Sequence, residues 1–281
     1  MATPDFVVVG HVVRDMVPEG WRLGGTATFA AVQAERLGLS VGVVTRVGVG
    51  LDLPAALPNV TLACTPSEES TSFQNAYGKG GRQQRVIGRA GPLSAADVPG
   101  EWLSAPIALL GAVCGEVPAG MSGEFTSPLL GVSAQGWLRR VDEGGRVQSQ
   151  AWEGESFWRG ADVLFVSDED VGPNSDQVDR WTRDVPIVAM TGNRRGARVY
   201  DEGRWRSIAA FPAEEVDPTG AGDVFATAFL VELHMTNDVA KASRFASAAA
   251  ACAIEATGID AIATRTVIEE RMDADASVVL Q

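Results

Sequence analysis

The sequence predicts an α/β protein built on a mainly parallel central sheet. Three observations predict it: short apolar runs that end in glycine or a polar residue, a helix pattern between the first two of them, and helices crowded into the last third of the chain. Residues 5–10 carry Phe6-Val-Val-Val-Gly10, a run short enough for a buried strand. Residues 11–23 are more polar, hold Pro18 and Gly20, and leave the core. Gly24-Gly25 then opens a stretch of helix formers with apolar spacing near 3.6, closed by Gly38. Val41–Val47 is the next strand, so strand, excursion, helix and strand follow in the order of a parallel α/β unit.

Residues 70–88 read as a hairpin with one wet face, turning at 78–81, and with 11–23 they can form a small sheet over one end of the main one. Core-type runs return at 106–113, 129–133, 162–167 and 186–191, and 197–208 reads as a hairpin turning at 201–203. Three helices close the chain: Gly222 to about His234, Val239 to about Ala256, and Thr266 to about Asp273. There is no repeat or linker in the sequence, so residues 1–281 read as one domain with a small appended sheet from about 11–23 and 70–88.

Composition removes several function classes. With 46% hydrophobic and 21% charged residues the chain can bury a large core without disulfides. Lys and Arg total 23 against 36 Asp and Glu, a net charge of −13, which argues against nucleic acid or an anionic membrane as partner. It does not exclude phosphate, which backbone amides bind locally. Cys64, Cys114 and Cys252 lie far apart and read as buried apolar thiols, and two histidines do not make a multi-histidine metal site. No apolar run reaches a membrane span and the start lacks signal-peptide features, so the expected location is the cytoplasm.

The most informative stretch is Asp217-Pro-Thr-Gly-Ala-Gly-Asp223, placed directly before an apolar helix. Glycines permit close approach of a ligand, and unpaired amides at a helix start attract anions. If they hold a transferring phosphoryl group, Asp223 is placed to accept the proton of the attacking hydroxyl. An ordinary aspartate cap after a glycine turn gives the same local pattern.

With its context this stretch resembles the C-terminal motif of the ribokinase-like (PfkB) small-molecule kinases, close to Asp-Thr-x-Gly-Ala-Gly-Asp, with Pro218 the departure. The resemblance implies a three-layer sandwich with a small β lid. It also implies an anion hole at Gly220, Ala221 and Gly222, with Asp223 as catalytic base. In the N-terminal half, Gly10 followed by Asp15, then Gly24-Gly25, is similar to the family's acceptor-binding aspartate and paired glycine. Phe29 stands where ribokinase has an asparagine, which argues against simple ribose. Ser167-Asp-Glu-Asp170 replaces the family's Asn-x-x-Glu, so Asp170 takes the place of the residue that organises magnesium, largely through water. Thr191-Gly-Asn-Arg-Arg-Gly196 is similar to the nucleotide loop Thr-x-Gly-x-x-Gly, with Asn193 departing and Thr191 and Gly196 as implied ATP contacts. The alanine-rich segment near 239–256 matches the part that packs beside adenine.

Three details resemble the family's inositol kinases: Val9-Gly10-His-x-x-x-Asp15 with Leu23-Gly24-Gly25; Thr71-x-Phe-x-x-Ala-Tyr77 with Gln84-Arg85-Val86; and Gln135-Gly-Trp-Leu-Arg139 leading to Val141-Asp142. Gln135 and Arg139 then join Asp15, Gly24 and Gly25 as implied substrate contacts, past a core strand where ligands bind such sheets. A solvated helix face is the other reading of Arg139-Arg140. The implied reaction transfers the γ-phosphate of ATP, with Mg2+, to a sugar or cyclic polyol. A nucleoside acceptor stacked on Trp137 or Tyr77, a non-catalytic binding relative, and a homodimer through the lid stay open.

Overall fold

A computed structural model describes residues 2–78, 81–152, 157–172 and 176–279. The first strand, β1 (Phe6–Val9), shows why its run is apolar throughout. Phe6 and Val8 point into one core and Val7 and Val9 into another, so both faces are buried. The chain then leaves the sheet as the hairpin β2 (Val13–Val17) and β3 (Gly20–Gly24) and returns as α1 (Thr26–Arg36) and β4 (Val41–Val47). After the one-turn α2 (Leu53–Ala56) come β5 (Thr61–Pro66), and then β6 (Ser72–Gly78) and β7 (Gly81–Gly88), the expected second hairpin. Next are β8 (Ile107–Gly111), β9 (Leu129–Ser133), the hairpin β10 (Arg139–Val141) and β11 (Val147–Ser149), and β12 (Val163–Ser167). The short α3 (Asp168–Val171) and α4 (Asp176–Trp181) precede β13 (Ile187–Thr191) and the hairpin β14 (Ala197–Asp201) and β15 (Arg204–Ile208). The helices α5 (Ala221–Thr236), α6 (Val239–Ala253) and α7 (Arg265–Val279) complete the chain.

Nine strands form one sheet in the order β15-β14-β13-β12-β9-β8-β1-β4-β5. From β13 to β5 every neighbouring pair is parallel, and β14 and β15 add an antiparallel edge. The expected fold class is therefore the observed one. The turn of the β14–β15 hairpin has Glu202 at φ 50° and Gly203 at φ 79°, a pair of left-handed residues suited to a two-residue hairpin turn. The two faces are covered differently. Helices α1, α5 and α6 pack on one through Phe29, Phe229 and Phe245. The other is covered by Trp102, Trp137, Trp158 and Trp181, largely on short 3-10 turns. Pro92, Pro99, Pro106, Pro118 and Pro128 punctuate that part of the chain, and proline stops helices from lengthening there.

A second sheet, β3-β2-β6-β7, stands at the carboxyl ends of the parallel strands. It combines the segments around 11–23 and 70–88, as the sequence suggested; Lys79 and Gly80 of the expected turn lie outside the described residues. Cys114 and Cys252 are buried, but Cys64 is exposed, because β5 is the edge of the large sheet. Among the described residues no helix is long and apolar enough to cross a membrane.

Candidate active site

Between the small sheet and the large one lies a cavity of about 60 Å³ lined by Asp15, Gln84, Gln135, Arg139, Gly220 and Asp223, with Thr26 and Phe29 at its floor. Asp15 reaches it on β2. Its carboxylate lies over Gly24, where any Cβ would collide with it. Gly25 has φ 84° and starts α1 with no side-chain cap, so both glycines have a local reason to be there.

Asp223 is the third residue of α5. Gly220 precedes the helix at φ 81° and offers no side chain to cap it, so the first amides face the cavity end uncapped. Of the expected anion hole, the Ala221 amide is already engaged, donating to Pro218 O at 3.3 Å. The Gly222 and Asp223 amides have no acceptor within the helix by its geometry. Burial pushes the Asp223 carboxyl up to about 6, and the Asp170 and Asp15 charges push the same way; Thr26 and Arg139 oppose them. Thr26 is fully buried, and its Oγ1 has no partner at hydrogen-bond distance although it favours the charged form of Asp223.

Arg139 begins β10, so it sits on a strand and not on the solvated helix face that was the other reading. It donates to Gln84 Oε1 at 3.3 Å and to Asp170 Oδ1 at 3.2 Å. Asp170 in turn accepts from Ser167 Oγ at 2.8 Å and is N-capped by it at 3.1 Å. Ser167 pairs in register with Thr191, so the chain of contacts leads from Asp223's surroundings to the loop at 191–196. Thr191 and Gly196 do not line the cavity around Asp223; they sit at the end of β13, one strand further along.

The departures from the family pattern have physical causes here. Asn193 has φ 51°, and asparagine is among the few non-glycine residues that tolerate it. Its side chain donates to Glu169 Oε1 at 2.7 Å. Phe29 packs under Gly220 instead of offering a polar group to the cavity. Trp137 is not available for stacking on a ligand: it is buried, donates to Val117 O at 3.0 Å and stacks on Trp152. The Tyr77 side chain lies outside the described residues. Gln84 and Thr26 were not singled out as site residues by sequence; Gln84 stood within a quoted motif, but nothing local marked either as facing a cavity.

For magnesium, Asp170 offers a carboxylate whose two oxygens already meet Arg139 and Ser167. That donor set fits an ion held through water beside donor phosphates, the arrangement magnesium prefers, and does not fit a cage of protein ligands. Among the described residues, His11, Cys114 and Glu116 form the tight group of metal-type atoms, within 4.8 Å of one another. Their bonding is already complete. His11 meets Thr71 Oγ1 at 2.8 Å and Gly91 O at 3.0 Å. Glu116 accepts from the amides of His11, Val113 and Cys114. Burial lowers the His11 pKa and pushes the Cys114 thiol up to about 12, so the group reads as a neutral-thiol anchor for the turn after β1.

A large, mainly parallel sheet with a small sheet over its carboxyl ends, and an aspartate in the first turn of an uncapped helix beneath, define a ribokinase-like α/β protein. Residues 161–265 match the pfkB family of carbohydrate kinases. An inositol 3-kinase of Oryza sativa subsp. japonica is 30% identical over 252 residues, covering 79% of this chain and 61% of that protein. A cytidine kinase of Thermococcus kodakarensis is 27% identical over 247 residues, covering 80% of this chain and 87% of that one. Among solved structures, a pyrophosphate-dependent kinase in the ribokinase family, complexed with a pyrophosphate analog and myo-inositol, superposes with a TM-score of 0.79 at 20% identity, covering 95% of this chain and 99% of that one. The family match thus covers the C-terminal part of the chain, and the fold over its whole length is ribokinase-like. It spans about three fifths of the rice relative's length.

Proposed function

We propose that this chain is a phosphotransferase that moves the γ-phosphate of ATP onto a hydroxyl of a small polyhydroxy acceptor, a sugar or cyclic polyol, with myo-inositol the first candidate. One observation carries the reading: a carboxylate with a raised pKa, in the first turn of an uncapped helix, facing a cavity lined by Asp15, Gln135 and Arg139. An acid cap serving only the helix would face solvent. The rice relative supports inositol as acceptor and the archaeal relative supports a nucleoside. The burial of Trp137 weighs against the nucleoside.

In this reading Asp15, Gln135, Arg139 and the backbone at Gly24-Gly25 orient the acceptor's hydroxyls. Asp223 takes the proton from the attacking hydroxyl, and a carboxylate of pKa about 6 is a stronger base than an ordinary one. The amides of Gly222 and Asp223 and the start of α5 stabilise charge on the transferring group. Thr191 and Gly196 hold the nucleotide, and Asp170 orders the waters of Mg2+; bound there, the ion neutralises charge on the donor phosphates. In this reading the small sheet acts as a lid that opens for the acceptor and closes to exclude water. The same reading takes residues 1–281 as one catalytic unit that works in the cytoplasm with ATP and Mg2+, with the β3 edge of the lid as the proposed surface for a homodimer.

The test is magnesium-dependent release of ADP with a panel of polyols, sugars and nucleosides, with pyrophosphate run beside ATP as donor. Turnover with myo-inositol or another polyol supports the reading. Binding without turnover under every donor replaces it with a non-catalytic binding protein.

A further inference from the structure

The turn between β10 and β11 touches the lid. The Val86 amide on β7 donates to Gly145 O at 2.8 Å, Arg85 Nη2 donates to Gly144 O at 2.5 Å, and Arg85 pairs antiparallel with Arg146. The outer strand of the small sheet is thus continued by a piece of the main body. The turn is built rather than loose. Asp142 Oδ1 accepts from the amides of Gly144 at 3.0 Å and Arg146 at 2.8 Å, and Oδ2 accepts from Gln148 Nε2 at 3.2 Å. Gly145 has φ 77°, and a Cβ there would stand 2.5 Å from Val86 O. Below the turn, Val141 and Val147 pack with Val86 of the lid on a small core of Val13, Phe73, Val113 and Cys114.

The other end of the hairpin is rooted in the body. Leu138 is buried, its carbonyl accepts from the Gln150 amide at 2.9 Å, and Gln150 Nε2 donates to Trp137 O at 2.9 Å. Arg139, next along the chain, is the residue that joins lid Gln84 to Asp170. A segment fixed at both ends, with a site residue at its root, transmits the position of one end to the other.

We propose that the β10–β11 hairpin is a strap that holds the lid in register over the acceptor site, with Gly145 as a positioning residue that acts through Gln84 and Arg139. The proposal rests on the kinase reading for its kinetic consequence but not for its mechanical one. Opening the lid then means releasing the Val86–Gly145 contact, and closing it restores the Gln84–Arg139 contact at the same time.

The test uses Gly145→Ala, with Gly203→Ala as control. Gly203 has a similar φ of 79° but open space around it, at the far end of β14. By hydrogen exchange without any ligand, residues 83–88 are expected to exchange at least 10-fold faster in Gly145→Ala and unchanged in Gly203→Ala. In assays with ATP and myo-inositol, Gly145→Ala is expected to raise the acceptor KM about 10-fold with the ATP KM unchanged, and to raise ATP hydrolysis without acceptor. If Gly145→Ala does not fold, Asp142→Ala, which removes the turn's internal bonds, takes its place. Unchanged exchange at 83–88, or an equal change in the control, overturns the strap. Absence of all turnover in the wild type counts against the proposed function, while the exchange result still decides the strap.

Discussion

The ring of Phe29 lies against the α-carbon of Gly220, so close that any side chain at 220 would collide with it. The residue that begins α5 and the first turn of α1 are thereby clamped together, and both uncapped helix starts face one cavity. The substitution Gly220→Ala meets this ring and a φ of 81° at once. Strain at such a site is roughly 1–2 kcal/mol from the backbone alone, with overpacking adding about 1–3 kcal/mol. We expect a fall in Tm of several degrees and at least a 10-fold loss of kcat. Gly220→Ala with Phe29→Leu should recover part of the Tm. Calorimetry and steady-state kinetics check both.

Asp223 carries a sign that separates function from stability. Its folded pKa, about 6, lies above its ordinary 3.8, so the native state binds more protons than the unfolded one between those values. Stability therefore falls as pH rises from about 4 to 6, and at neutral pH the charged carboxylate costs up to about 3 kcal/mol. Asp223→Asn should raise Tm at pH 7 relative to wild type, and the gain should vanish near pH 4. The same variant should lower kcat by about 100- to 10,000-fold. A thermal-shift series across pH, run beside the kinetic assay, tests the pair of outcomes.

Thr26 offers a finer test of the same carboxyl. It favours the charged form of Asp223, so removing its hydroxyl raises the carboxyl's pKa further. In Thr26→Val the acid limb of the kcat/KM profile should move to higher pH by up to about one unit. Thr26→Ser should restore it. Coincident profiles for all three proteins would remove Thr26 from this role.

Asn193 tests the loop that the proposed function assigns to the nucleotide. Its φ of 51° suits glycine or asparagine. Asn193→Gly should leave the stability within about 0.5 kcal/mol, whereas Asn193→Ala should cost about 1–2 kcal/mol. Under the proposed function the ATP KM should rise in Asn193→Ala with the acceptor KM unchanged. Denaturant midpoints and substrate titrations read the two effects.

Much of this was legible in the chain. Phe6-Val-Val-Val announces a strand buried on both faces because only a parallel sheet between two layers needs apolar residues at every position. The β14–β15 hairpin follows from Glu202-Gly203, and α5 from two glycines before an apolar run. The β10–β11 hairpin was not legible. Its strands have three residues each, too few for a period to show, and its turn is held by Asp142 and by a distant strand. The extent of α6 and α7 also shifted, to 239–253 and 265–279, since alanine continues a helix until packing ends it.

Sequence alone determined the strands of the large sheet, the two hairpins of the small one and the aspartate at the start of α5, because each is written in residues close together, through glycine's backbone freedom and the two-residue period of strands. Tertiary structure alone decided that Gln84, Arg139 and Asp170 meet, and that Thr26 and Asp223 line one cavity. Those residues lie tens to nearly two hundred positions apart. Their contacts depend on how two sheets and two helix ends come together in space, and no local pattern of hydrophobicity or turn chemistry encodes that.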